Sequence, residues 1–115
     1  MLDIKTIELA ENIRQVELNG ELNNTSTNGF LEVIEEMMRR EGMRIILDFS
    51  HVSMITSAGI GAIGLIIKDL RESTCVVCMI LHNEQVLTLL RTTHLLGNIQ
   101  VFKTLDGAMD YVRNA

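Results

Sequence analysis

Proline and tryptophan are absent from this 115-residue chain, and three phenylalanines and one tyrosine are its only aromatic residues. Without proline, and without serine- or glycine-rich or low-complexity stretches, there is no visible linker. The length fits one domain, residues 1–115, large enough for a single core. The scarcity of aromatics removes the usual stacking platform for nucleobases, so the core must be built from Ile, Leu, Val and the seven Met. Positive charge is also in short supply, with 10 Lys and Arg against 15 Asp and Glu and a net charge of −5. No dense basic run occurs, which disfavours direct DNA or RNA binding, because a nucleic-acid binder needs cations to displace the counterions of phosphates. Long apolar runs are missing too. The longest small-or-apolar run, Ala58 to Ile67, is about half of what a bilayer helix needs. The first residues, Met1 to Lys5, lack the cationic and apolar regions of a signal peptide. The expectation is a soluble, cytoplasmic protein with no membrane partner.

What is present is a regular succession of elements. Ile4–Ala10 and Ile13–Asn19 alternate apolar with polar residues around Glu11-Asn12, which predicts an antiparallel hairpin forming a half-exposed sheet edge. Gly20 to Thr25 reads as a polar turn, and Phe30, Val33, Ile34, Met37 and Met38 recur at helical spacing from Thr27 to Glu41, with Gly42 as the stop. A buried strand from Arg44 to Phe49 follows, then a helix over 58–71. A second buried strand (75–81), a short helix (83–91), a last strand (99–102) and a closing helix (106–113) complete the order. Strand, strand, helix and then three strand–helix pairs predict an α/β domain. Its sheet should be mixed, of about five strands, with about four helices packed mainly on one face.

The stretch Arg44–Glu72 organises the rest. Its strand leads through Ser50–Ile55 into Thr56-Ser57-Ala58-Gly59, where Thr56 or Ser57 can serve as the hydroxyl cap of the helix. On a helical wheel Ile60, Ile63, Ile66, Ile67 and Leu70 form the stripe that faces the sheet. Ala58, Gly61, Ala62, Leu65, Lys68, Asp69 and Glu72 lie opposite. Gly59, Gly61 and Gly64 in one helix should each cost about 1 kcal/mol relative to alanine, so the close approach of another backbone is the expected compensation. For Gly64 this means packing on the sheet. For Gly61, with Ala58, Ala62 and Leu65, a face that docks a partner is an equal alternative.

Several patterns suggest other chemistry and lose to plainer readings. Gly59-Ile60-Gly61-Ala62-Ile63-Gly64 matches G-x-G-x-x-G, with Glu84 at about the distance of a ribose-binding acid. In a dinucleotide fold, however, the first glycine follows the strand directly, whereas here 50–58 intervene. Cys75-Val76-Val77-Cys78 lies inside an apolar strand, where residues three apart face opposite ways, roughly 10 Å apart. Two reduced thiols are expected. His51, His82 and His94 show no ligand spacing, so neither a metal nor a cofactor is expected. Ser57 is not flanked as G-x-S-x-G, and nothing in the spacing of His51 and Asp48 brings a base to it. From chemistry alone it is an ordinary helix cap, and an enzyme is disfavoured.

One further set of residues changes the weight of Ser57. Leu47-Asp48-Phe49-Ser50-His51-Val52-Ser53 followed by Ile55-Thr56-Ser57-Ala58-Gly59-Ile60-Gly61, together with Gly20-Glu21-Leu22-Asn23, resembles the signature of STAS domains, the anti-sigma factor antagonists of bacterial partner-switching systems. The order of elements along the whole chain fits as well. The resemblance implies a non-enzymatic regulatory module that binds an anti-sigma factor with serine-kinase activity, with Ser57 as the residue phosphorylated to release it. A phosphatase is a further implied partner. Asn23, Ser53, Thr56, Ala58, Gly59, Gly61, Ala62 and Leu65 are then candidate partner-binding residues. The chain departs from the pattern at Asn23 and Thr56, where many antagonists carry aspartate. A constitutive scaffold that is never phosphorylated therefore stays open, as does a small-ligand or nucleotide sensor suggested by the glycines.

Overall fold

The computed structural model describes residues 2–115; Met1, with which the expected domain begins, lies outside the described residues. Strands β1 (Leu2–Ala10) and β2 (Ile13–Leu22) form the expected antiparallel hairpin. Its turn places Asn12 in the left-handed region, at φ 63°, a conformation that asparagine tolerates better than most residues. Helix α1 (Thr27–Met38) leads to β3 (Arg44–Ile55), α2 (Ser57–Arg71), β4 (Val76–Ile80) and α3 (Glu84–Thr92). A 3₁₀ turn (Leu95–Asn98), β5 (Gln100–Phe102) and α4 (Leu105–Asn114) complete the chain. The five strands lie in the order β1-β2-β3-β4-β5, antiparallel at the first junction and parallel at the others. The sheet is therefore mixed, as expected.

Alternation along the central strands sorts the core into two layers. Ile45, Leu47 and Phe49 of β3 join Val77 and Met79 of β4 beneath α1, α2 and α3, where Phe30 meets Phe49 edge-on with ring centroids 6.1 Å apart. Ile46, Cys78 and Ile80 point the other way, against Ala108 and Val112 of α4. Three helices thus cover one face and one helix covers part of the other. Only half of the expected hairpin edge is an edge, because β2 is enclosed between β1 and β3.

The apolar run predicts a central strand that ends at Phe49, yet β3 continues to Ile55. The reason is its neighbours. Up to Asp48, β3 pairs on both sides; beyond that it pairs with β2 alone. A strand buried on both faces reads as a continuous apolar run, whereas a half-covered one mixes polar residues in. The segment Ser50–Ile55 accordingly keeps only Val52 and Ile55 buried. By the same pairing β2 runs to Leu22 through what reads as a turn. Helix α1 stops at Met38, three residues short of expectation, and Gly42 at φ +71° turns the chain into β3.

Cys75 and Cys78 are both buried and free, on opposite sides of the sheet: Cys75 belongs to the layer under α1–α3 and Cys78 to the layer under α4. Burial without a partner charge pushes the Cys78 thiol up from its ordinary 9.0 to about 12. Native protein at pH 8 should leave both thiols unlabelled by an aromatic disulfide reagent on a timescale that labels both in denaturant. Between pH 9 and 12 the unfolded chain releases the Cys78 proton while the folded chain holds it, so stability should fall as pH rises through that window. Denaturant midpoints of Cys78→Ala, measured alongside the wild type, should lack that part of the decline.

Candidate functional site

The candidate site forms where β2 and β3 end together and α2 begins. Leu22, the last residue of β2, pairs with Ile55, the last of β3. The Leu22 carbonyl then accepts the Thr56 N–H at 3.0 Å, and the Thr56 hydroxyl lies 3.5 Å from the same oxygen. Thr56 is extended (φ −92°, ψ 177°) and its own carbonyl accepts the Ile60 N–H, opening the helix. Thr56 therefore occupies the cap position, but its hydroxyl does not cap. The expectation of a hydroxyl cap from Thr56 or Ser57 is corrected here, because the Leu22 carbonyl takes the hydroxyl of the first and the second points outward. Ser57 is exposed, and among the described residues its hydroxyl has no hydrogen-bond partner.

Asn23, directly after Leu22, is occupied in its own turn. Its side-chain oxygen accepts the Thr25 N–H at 3.0 Å and the Thr25 hydroxyl at 2.7 Å, and its N–H donates to Ser26 Oγ at 2.9 Å. This is an Asx-type turn that leads into α1. Ser53 donates its hydroxyl to the Gly20 carbonyl at 3.2 Å.

The remaining candidates divide by burial. Ala58, Gly61 and Leu65 are exposed along one side of α2, Leu65 by 51%. Gly59 and Ala62, both candidate partner-binding residues, turn inward, Ala62 at 3% exposure, so the wheel's outer face is narrower than expected by Ala62. Gly59 is the glycine that compensation by close approach explains. A Cβ there would come within 2.7 Å of the Leu22 carbonyl oxygen and 2.8 Å of Ile55 Cγ2. Gly61 faces open space, and Gly64 looks toward Leu95 at 3.9 Å. The G-x-G-x-x-G spacing therefore lies within one helix, its first glycine filled by the chain's own backbone where a dinucleotide fold would seat a pyrophosphate.

Met54 is a residue that sequence reasoning missed. Between Gly20 and Glu21 of β2 the partner strand advances from Val52 to Met54, an extra residue that turns both Ser53 and Met54 outward. Met54 is 52% exposed and borders a depression of about 140 Å³ shared with Gln85, Val86 and Leu89. Nothing in the sequence marks a bulge at that point. Asp48 is engaged away from the site, accepting from Gln15 Nε2 and from the Ser50 N–H, both at 2.9 Å. Among the described residues no group of His, Cys, Asp and Glu is placed to hold a metal ion, and no helix is long and apolar enough to cross a membrane.

Comparison with known proteins matches residues 5–108 to the STAS domain model. No curated protein matches the chain. Among solved structures, one from Thermotoga maritima described as an anti-sigma factor antagonist shares 25% identity over 96% of this chain and 94% of its own, with a TM-score of 0.84. The unphosphorylated anti-sigma factor antagonist SpoIIAA, a Bacillus cell fate determinant, shares 18% over 98% of both chains, with a TM-score of 0.81. The murine anion transporter Slc26a9 contains the same fold, at 17% identity over 90% of this chain and 18% of that one, with a TM-score of 0.79.

The contrast between the glycines gives a test of the geometry. Gly59→Ala should destabilise by about 2 kcal/mol, since the backbone must shift to admit the methyl. Gly61→Ala, with free space around it, should stabilise by roughly 0.5 to 1 kcal/mol through helix propensity. Urea unfolding of the two variants measures both, and equal effects would contradict the placement of Gly59 under Leu22.

Proposed function

This chain belongs to the STAS domain family, and we propose that within it the protein is an anti-sigma factor antagonist. It docks an anti-sigma factor with serine-kinase activity and is released when that partner phosphorylates Ser57. The observation that carries this reading is the Ser57 hydroxyl, exposed and unbonded among the described residues, at the first position of α2 beside the exposed Ala58, Gly61 and Leu65. A serine holding its own helix end would be a poor phospho-acceptor; here that work falls to the backbone of Thr56 and Leu22.

The same geometry accounts for a switch. In the free protein a phosphate on Ser57 sits at a helix N-terminus, where the unpaired N–H groups and the dipole favour an anion by about 0.3 to 1 kcal/mol. In a docked complex about −1.5 to −2 charges would be buried beside Ala58, Gly59 and Gly61, none of which offers a cation. A net penalty of only about 3 kcal/mol weakens binding by more than a hundredfold, enough to separate the two proteins. The ATP and magnesium for the transfer belong to the partner, a phosphatase resets Ser57, and the chain itself catalyses nothing. The module comprises residues 1–115 and works in the cytoplasm, acting on transcription through the sigma factor its partner holds. Asn23 and Thr56, neutral where many family members carry acids, favour a second reading, a scaffold that binds constitutively. A nucleotide sensor has less support, because the first glycine of its motif is filled by Leu22.

Titration calorimetry with the cognate anti-sigma factor distinguishes the two readings. Ser57→Ala should bind as the unmodified protein does, and Ser57→Asp and the phosphorylated protein at least tenfold more weakly, with unchanged circular dichroism. Binding of the modified and unmodified forms within a few-fold of each other would favour the scaffold. Leu65→Lys should leave the unfolding midpoint within about 0.5 kcal/mol of wild type, as for other exposed sites. It should cost binding about 2 kcal/mol if Leu65 sits centrally in the interface.

A further inference from the structure

A second surface, separate from Ser57, lies between α3 and the outer edge of β5. On its inner side β5 is paired with β4, and the Phe102 carbonyl accepts the Leu81 N–H at 2.9 Å. The backbone groups of successive strand residues point alternately to the two sides, so with those of Phe102 turned to β4, the N–H and C=O of Val101 point out to the free edge. Beside that edge runs a groove of about 280 Å³. Leu81, Leu87, Ile99 and Val101 supply its apolar lining, and the exposed Arg91 and Lys103 supply its charge. Among the described residues no carboxylate lines it, although the chain as a whole carries a net charge of −5. Leu81 and Lys103 are the residues immediately beyond β4 and β5. The groove therefore opens at the carboxyl ends of parallel strands, where sheets of this kind generally meet their ligands.

We propose that this groove docks an extended acidic peptide segment of a partner protein, added to the sheet as a sixth strand beside β5. Each part of the groove matches a part of such a segment. The unpaired Val101 N–H and C=O take the segment's backbone, the mode in which main-chain hydrogen bonds give affinity and alternate side chains give specificity. An apolar side chain rests over Val101 and Leu87, and carboxylates meet Arg91 and Lys103. Val101 and Lys103, two residues apart, both line the groove beside Leu87 and Arg91 of α3. The segment should accordingly carry its apolar residue and its acids at alternate positions. β5 is only three residues long, so the ladder is short and the two cations must contribute a large share of the selectivity. A folded polyanion such as nucleic acid could use the cations but not the strand edge.

The probe is the fluorescently labelled peptide acetyl-Ser-Asp-Thr-Val-Thr-Asp-Ser-amide, titrated into the full chain by anisotropy and by amide NMR. The expected result is saturable binding with slowed hydrogen exchange at the Val101 amide. The double variant Arg91→Glu with Lys103→Glu should bind at least about tenfold more weakly, with circular dichroism unchanged because both residues are exposed. A peptide with lysine in place of both aspartates should not bind. Four results would overturn the proposal: no saturable binding up to millimolar peptide, undiminished binding by the double variant, peptide saturation with no protection of Val101, or displacement of the peptide by equimolar inorganic phosphate, which would mark a simple anion site.

Discussion

One carbonyl, that of Leu22, holds the functional end of this molecule together. It ends β2, accepts the Thr56 N–H that starts α2, and lies where any side chain on Gly59 would have to go. Strand, helix entry and glycine are thus mutually dependent. A hydrogen bond of this kind contributes on the order of 1 kcal/mol net, but its geometric effect is larger than its energy. It sets the angle at which α2 leaves the sheet, and with it the direction in which Ser57 faces. Because the backbone does this work, the serine hydroxyl is left without a hydrogen bond among the described residues at a helix start, a position already favourable to an anion.

The sheet beneath imposes the other constraint. Ile45, Leu47 and Phe49 must alternate with Ile46 and Asp48, and the two sets meet different layers of helices. With three helices on one face and one on the other, β3 is covered on both faces along its first half and loses its β4 neighbour in its second half. That loss allows Ser53 and Met54 to leave the core. The extra residue opposite Gly20 and Glu21 sends both outward in succession, which leaves a large apolar side chain exposed beside Gln85 and Leu89 of α3.

Shared architecture does not by itself separate roles, since SpoIIAA, the Thermotoga maritima protein and a domain of an anion transporter all superpose on this chain. What distinguishes one member from another must lie in side chains placed on the common frame. Among the described residues those are Ser57 without a hydrogen-bond partner, Asn23 consumed by its own turn, and Met54 and Leu65 left in solvent. Asn23 Oδ1 is already engaged by the Thr25 N–H and hydroxyl, and the Thr56 hydroxyl lies against the Leu22 carbonyl.

Periodicity alone determined the order of elements, the mixed sheet, the opposite facing of Cys75 and Cys78, and the exposure of Leu65, because each follows from local spacing of 2 or 3.6 residues. The signature around Ser57 likewise pointed to the residue that ends up exposed at the start of α2. Other features needed the tertiary structure. The extension of β3 to Ile55 depends on which strand lies beside it, and the outward turn of Met54 depends on a register slip against β2. The inward turn of Ala62 and Gly59 depends on how α2 is rolled over Leu22 and Ile55, a rotation that a wheel leaves free. These are relations between segments some thirty residues apart in the chain, such as Leu22 and Thr56, and local pattern cannot express them because the energy that decides them arises only when the segments touch.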